Sequence, residues 1–247
     1  MMPDSVELLM TWIKQSSKIV FFGGAGTSTE SGIPDFRSAA GIYQTEQHSP
    51  YSPEELLSID FFKLHPDIFY DFYRNKMLHP YASPNGAHRL LARLEQEGKM
   101  SAVITQNIDG LHQAAGSKTV HELHGSVHRN YCMDCSKFYN LNFILQSGGG
   151  VPYCEKCGGI IKPDVVLYGE ALDQSTLYHA VDALSEADLL IIGGTSLTVQ
   201  PAAQLIMYFQ GKHIALLNAT PTAYDKKADL LITEPIGKVM DQVNALL

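Results

Sequence analysis

The chain has 247 residues, a formal net charge of −8, 45% hydrophobic and 18% charged residues, which suits one large core with or without a small satellite module. The acidic balance argues against direct nucleic-acid binding, and no apolar run nears the roughly 20 residues that span a bilayer, so no membrane role is expected. Met1-Met2-Pro3-Asp4-Ser5 lacks the basic-then-apolar pattern of an export signal, and the expected location is the cytoplasm.

A helix is expected over residues 5–15, with Ser5 as a possible cap and Val6, Leu9, Met10 and Ile13 as its apolar stripe. Lys18-Ile19-Val20-Phe21-Phe22 then reads as a short buried strand. It runs into Gly23-Gly24-Ala25-Gly26-Thr27-Ser28, a turn of small residues in which the backbone can approach an anion before a helix begins. The turn departs from the usual dinucleotide fingerprint: Thr29 stands at the third glycine position, and no acidic residue follows at the usual distance. Gly32-Ile33-Pro34-Asp35-Phe36-Arg37 places an aromatic, an acid and a base just beyond it.

Residues 38–84 read as a helical, aromatic-rich insertion. A helix over 85–97 carries Leu90, Leu91 and Leu94 on one face, and strands follow at 100–105 and 119–123. All four cysteines then fall in a second insertion, 126–166, as Cys132-x2-Cys135 and Cys154-x2-Cys157 with 18 residues between the pairs. That spacing suits a closed four-thiolate zinc site with no open position for chemistry; two disulfides are the alternative, disfavoured without an export signal. Beyond it, a helix at 172–185, a strongly apolar strand at 188–193, a helix at 201–209 and strands at 213–218 and 229–232 complete the pattern. Alternating strands and helices predict an α/β fold: a Rossmann-like, doubly wound parallel sheet, with the two insertions forming a smaller domain. The expected division is 1–37, 85–125 and 167–247 for the large domain, and 38–84 with 126–166 for the small one.

Ligands of such sheets gather at the carboxyl ends of strands. There the sequence places Gln106-Asn107-Ile108-Asp109, then Gly194-Thr195-Ser196-Leu197, then Asn218. Each segment alone reads equally well as caps and turns, but as a set they supply amide, carboxylate and hydroxyl groups suited to a nucleotide.

These motifs, with His124-Gly125, Lys162-Pro163-Asp164-Val165-Val166, Gly169-Glu170 and the cysteine quartet in that order, resemble the sirtuins, the silent information regulator family of NAD-dependent protein deacylases, bacterial type. The similarity runs over residues 18–237. It implies an enzyme that transfers the acyl group of acyl-lysine to ADP-ribose and releases nicotinamide. It implies NAD and structural zinc (Zn2+) as cofactors. On this resemblance, Gly24, Ala25, Gly26 and Thr27 hold the NAD pyrophosphate beside Arg37, with Asp35 in the same loop and Phe36 over the nicotinamide. Asn107, Ile108 and Asp109 form the nicotinamide pocket, and Gln106 faces the ribose. Gly194, Thr195, Ser196 and Asn218 hold the adenosine half, with Ile236 at its edge. Asn107 and His124 are the implied catalytic residues, and His124 is the general base. The chain has ten histidines, and only the resemblance selects this one over His112, His121 and His128.

The resemblance also implies that acyl-lysine peptides bind as an added strand between two loops. Val166, Tyr168, Gly169 and Glu170 lie on one side and Leu197 on the other. Residues 39–53 are the expected mobile cofactor loop. Sirtuins that take succinyl or malonyl groups carry Tyr-x-x-Arg in the helical insertion. Here Tyr70 is present, Tyr73 occupies the arginine position and Arg74 follows one residue late, so acetyl and other neutral acyl groups are expected. Mono-ADP-ribosyl transfer and non-catalytic NAD or ADP-ribose binding are the alternative functions.

Overall fold

The computed structural model describes residues 5–36, 38, 41–45 and 50–247. Six strands form one parallel sheet: β1 (Ile19–Gly23), β2 (Met100–Thr105), β3 (Val120–Glu122), β7 (Leu189–Gly193), β8 (His213–Leu217) and β9 (Leu230–Ile232). Their spatial order is β3-β2-β1-β7-β8-β9. The chain therefore winds outward in opposite directions from β1 and β7, and the loops leaving these two strands part to open a crevice.

All five residues of β1 and all five of β7 are buried. Alternation divides them between two cores. Ile19 and Phe21 face the helices at Ser5–Gln15, Gly86–Gln96 and Ile236–Leu246, whereas Val20 and Phe22 face the helix at Gln174–Glu186 and the turns at Ala202–Tyr208. A strand covered on both faces needs no polar alternation, which is why these runs are continuously apolar.

A second, three-stranded antiparallel sheet has the order β5-β4-β6, from β4 (Gly125–Cys132), β5 (Phe138–Asn140) and β6 (Ile161–Val165). It shares a third core with the helical insertion: Phe62, Phe69, Tyr70 and Tyr73 pack with Ile144 and Ile161. The two insertions, far apart in sequence, thus bury one another.

Most predicted elements fall within a residue or two of their expected positions. The expected helix at 201–209 is instead a run of tighter 3-10 turns over Ala202–Tyr208 with no side-chain cap. Among the described residues, no helix is long and apolar enough to cross a membrane.

Candidate functional site

A cavity of about 1230 Å³ opens at the carboxyl ends of β1, β2 and β7, where the two sheets meet. Its wall brings together Gly24, Ala25 and Gly26 from the first loop and Asp35 and Phe36 beyond it. Gln106, Asn107, Ile108 and Asp109 come from the loop after β2, and His124 from the link between β3 and β4. Gly194, Thr195, Ser196, Asn218 and Ile236 line the sheet side, and Val166, Tyr168, Gly169 and Glu170 the opposite side. Thr27 and Leu197 stand behind this wall: Thr27 is fully buried and its Oγ1 donates to the Gly193 carbonyl at 3.2 Å, and Leu197 is buried in the sheet core. Arg37 lies outside the described residues, as do parts of the 39–53 segment.

The polar centre of the cavity is a small network. Ser28 Oγ donates to Asp109 Oδ2 at 2.7 Å and accepts from Asn107 Nδ2 at 3.1 Å. The Leu111 N–H donates to Asp109 Oδ1 at 2.9 Å, so both carboxylate oxygens are held. Gln106 Nε2 donates to Thr195 Oγ1 at 3.0 Å, tying the loop after β2 to the loop after β7. His124 Nδ1 lies 2.9 Å from the Gln106 carbonyl. A carbonyl only accepts, so Nδ1 carries the proton and Nε2 keeps a free lone pair. Burial pushes the His124 imidazole below its ordinary pKa, against the opposing pull of the Gln106 carbonyl. The neutral, basic form is thereby favoured.

The glycines of the first loop have a packing reason of their own. A Cβ on Gly26 would come within 2.8 Å of Gly194 Cα, and Gly194 adopts φ 59 with Thr27 N 2.1 Å from where its Cβ would sit. The two loops interlock as backbone, with Gly26 N–H donating to the Gly194 carbonyl at 2.7 Å. Two helix starts grip the same loop from behind. Asn85 caps the helix at Gly86–Gln96 and donates through Nδ2 to the Thr27 carbonyl at 2.8 Å and to Ser31 Oγ at 3.0 Å. Glu30 accepts the Gly237 and Lys238 N–H groups at the start of Ile236–Leu246.

On the opposite wall, Lys162 Nζ lies 2.9 Å from Glu170 Oε2 and donates to the Val165 carbonyl at 3.0 Å. Glu170 Oε2 also accepts the Leu167 N–H at 2.8 Å, closing the turn over residues 167–170. The backbone of Tyr168 is already engaged: its N–H donates to Leu57 and its carbonyl accepts from Ile59. Deeper in, Tyr70 is fully buried and its hydroxyl donates to the Ile161 carbonyl. Tyr73 lines the cavity, while Arg74 turns away to Ser147 Oγ at 3.0 Å and lies over the Tyr70 ring.

The four cysteine sulfurs lie within 4.8 Å of one another. Cys132 and Cys157 Sγ are 3.4 Å apart and Cys135 and Cys154 Sγ 3.6 Å, close to the roughly 3.8 Å edge of a tetrahedron with 2.3 Å zinc–sulfur bonds. These separations are too long for disulfides. The two pairs form matching turns: Ser136 and Gly158, each just after a second cysteine, have φ 55 and φ 77. Tyr139 Oη donates to Cys154 Sγ at 3.1 Å, the kind of support that orients a metal ligand.

Ser28, Asn85, Lys162 and Glu30 were not singled out by the sequence reading. Ser28 sat within the quoted glycine-rich run, and a hydroxyl one residue beyond a ligand loop was a usable signal. Lys162 opened the quoted motif over residues 162–166, although its pairing with Glu170, 8 residues on, was not read; the partners of Asn85 and Glu30 lie further away, up to more than 200 residues, and no local pattern announces them.

A cleft at the switch point of a doubly wound parallel sheet, bordered by the smaller sheet and holding a tautomer-fixed histidine, places the chain among the α/β proteins that bind ligands at the carboxyl ends of their strands. Residues 24–201 match the Sir2 family. A protein of Clostridium acetobutylicum named NAD-dependent protein deacetylase is 57% identical over 240 residues, covering 97% of this chain and 98% of its own. One of the same name from Clostridium perfringens is 57% identical over 98% of this chain and 99% of its own. A solved structure of Sir2 with p53 peptide and NAD+ superposes with a TM-score of 0.85 at 40% identity, covering 98% of each chain. The chain belongs to the Sir2 family, the sirtuins.

Proposed function

We infer that this chain is an NAD-dependent protein-lysine deacetylase, which moves the acyl group of acyl-lysine to ADP-ribose with release of nicotinamide. One observation carries the residue-level reading: His124 faces the cavity with Nδ1–H committed to the Gln106 carbonyl, leaving Nε2 to accept a proton. Imidazole suits that task because its pKa lies near working pH, and burial keeps this one neutral.

The fit to NAD rests on the chemistry of the wall. Gly24, Ala25 and Gly26 offer close backbone approach for a pyrophosphate, and Ser196, Asn218 and Ile236 suit an adenosine end. Asn107 and Asp109, locked by Ser28, suit a carboxamide, and Phe36 lies in the wall beside them. NAD, when bound, supplies the sugar that accepts the acyl group. In this reading Asn107 and Asp109 hold the leaving amide, Phe36 excludes water, and His124 Nε2 takes the proton of a ribose hydroxyl.

An acyl-lysine peptide adds as a strand between residues 166–170 and 196–199, with the Val166 carbonyl accepting the side-chain N–H. Since Tyr168 already pairs with residues 57–59 and the Val166 N–H with the His124 carbonyl, the peptide relies on Gly169 for backbone pairing on this side. Zinc held by Cys132, Cys135, Cys154 and Cys157 is structural, because four thiolates leave no open position. The division into a nucleotide domain and a small domain belongs to the same reading, supported by the shared core of the two insertions.

The test is mass spectrometry of an acetyl-lysine peptide incubated with the protein, with and without NAD. The reading expects deacetylated peptide and nicotinamide in equal amounts, only when NAD is present. Nicotinamide release with the peptide left acetylated would move the function to ADP-ribosyl transfer.

A further inference from the structure

The ladder between β4 and β6 is broken in the middle. Gly125 pairs with Val165 and Ser126 with Asp164, but the next partner pair is Asn130 with Pro163, so residues 127–129 of β4 have no counterpart. Such a bulge redirects the groups it frees. The Val127 N–H donates to the Ile108 carbonyl at 3.0 Å, and His128 Nε2 reaches the Asp109 carbonyl at 3.1 Å. The freed residues therefore support the loop that carries Asp109. The break in β6 falls between Pro163 and Asp164, so only the pairs Ser126–Asp164 and Gly125–Val165 stand between it and Val166.

Arg129 spans the gap. Its Nε donates to Asp164 Oδ2 and its Nη1 to Glu122 Oε2, both at 2.7 Å. Glu122 ends β3 of the parallel sheet and its side chain is only 8% exposed, whereas Asp164 is on β6 of the small sheet. Among the described residues, no other ion pair links a strand of one sheet to a strand of the other. His124 follows Glu122 by two residues, and its carbonyl accepts the Val166 N–H at 3.0 Å.

We propose that Arg129 is a positioning residue, which holds the strand ends bearing His124 and Val166 at fixed spacing while the bulge beside it braces the Asp109 loop. It touches neither substrate nor cofactor. The proposal rests on the deacetylase reading for its effect on rate, and on geometry alone for its effect on the backbone.

The test compares Arg129→Met, Arg129→Lys and the double change Arg129→Met with Glu122→Gln. The double change removes the buried carboxylate that the single change would strand, so a folding defect does not hide the answer. Peptide deacetylation and amide hydrogen exchange are followed together. In Arg129→Met and in the double variant, kcat is expected to fall about tenfold with KM for NAD within about twofold, since misplacement costs rate rather than ground-state binding. The amides of Val127 and Val166 exchange faster, those of β1 and β7 do not, and Arg129→Lys regains most of the rate. Unchanged kcat and unchanged exchange at Val127 and Val166 would overturn the proposal. So would a loss of kcat that tracks melting temperature across all three variants, which marks a merely structural ion pair. If the unsubstituted protein fails to deacetylate, the deacetylase reading has failed, and the exchange data alone decide the role of Arg129.

Discussion

The two sheets of this molecule solve the same problem by different means. The parallel sheet is held by burial: β1 and β7 are apolar from end to end and covered on both faces. Completely burying one such side chain contributes about 1.5–3 kcal/mol, so the sheet needs no other device. The antiparallel sheet has only three strands, a bulge in the longest of them, β4, and a proline in β6, and it depends on the cysteine cluster and on aromatic packing from the helical insertion. The site lies where the two meet. The parallel sheet presents the loops after β1, β2 and β7 and the smaller sheet presents residues 166–170, so the proposed chemistry depends on the seam as much as on either part.

The largest expected effect separates chemistry from framework. His124→Ala should lower deacetylation by about 10²–10⁴, the range of a lost general base, while NAD affinity and melting temperature hold. A calorimetric titration beside the rate assay checks this, and a variant that loses NAD binding as well would place His124 in the framework instead.

Acyl preference probes the small region's side of the cavity. With the Tyr70 hydroxyl donating to Ile161 and Arg74 turned to Ser147, no Tyr-x-x-Arg pair is presented to a distal carboxylate. Acetyl-lysine should exceed succinyl-lysine in kcat/KM by more than about tenfold on one peptide sequence, since a buried unpaired carboxylate is costly. The reverse order would refute this account of the cavity.

A smaller effect is expected at the peptide loop. Lys162→Met removes the cation that joins Glu170 to the Val165 carbonyl, and should raise KM for peptide about fivefold, equivalent to about 1 kcal/mol, the net scale of one ordinary hydrogen bond. KM for NAD should stay put; a parallel rise in both would show that the loop serves the whole cleft.

On activity the large region has the smallest expected effect, and its test reads stability instead. Burial pushes His88 down to about 4, with Asp109 opposing and Arg89 adding to the shift, and drives His112 well below the ordinary value too. The unfolded chain then takes up these protons first. Their contribution is complete above the ordinary histidine pKa near 6.5 and is lost as pH falls from there toward about 4. Melting temperature should therefore decline by roughly 10 °C across that window, and His88→Gln should flatten the decline.

The same contrast explains what could be read from sequence. Strands β1, β2, β7 and β8 announce themselves because double burial leaves a continuous apolar run. The cysteine cluster was legible because two-residue spacing imposes its own geometry. Strands β4 and β6 were not read as strands: His128-Arg129-Asn130 sets three polar residues in a row and breaks the alternation, and Pro163 argues against a strand interior. The polar centre of the cavity wall was legible from motifs, whereas lining residues such as Leu57, Met77 and Asn140 were not. Thr27 and Leu197 were placed in it although both point into packed interior, because a motif fixes which residues are special and not which way each one faces. Arg129 carried no signal, since its partners lie seven and 35 residues away.

The most direct test follows both regions in one sample as metal is removed. Zinc is chelated while amide exchange and peptide deacetylation are recorded, because structural zinc contributes its binding energy to folding. The account predicts that β4, β5 and β6 lose protection, that β1 and β7 keep it, and that deacetylation stops. A metal-free protein with the small sheet still protected and deacetylation intact would contradict it.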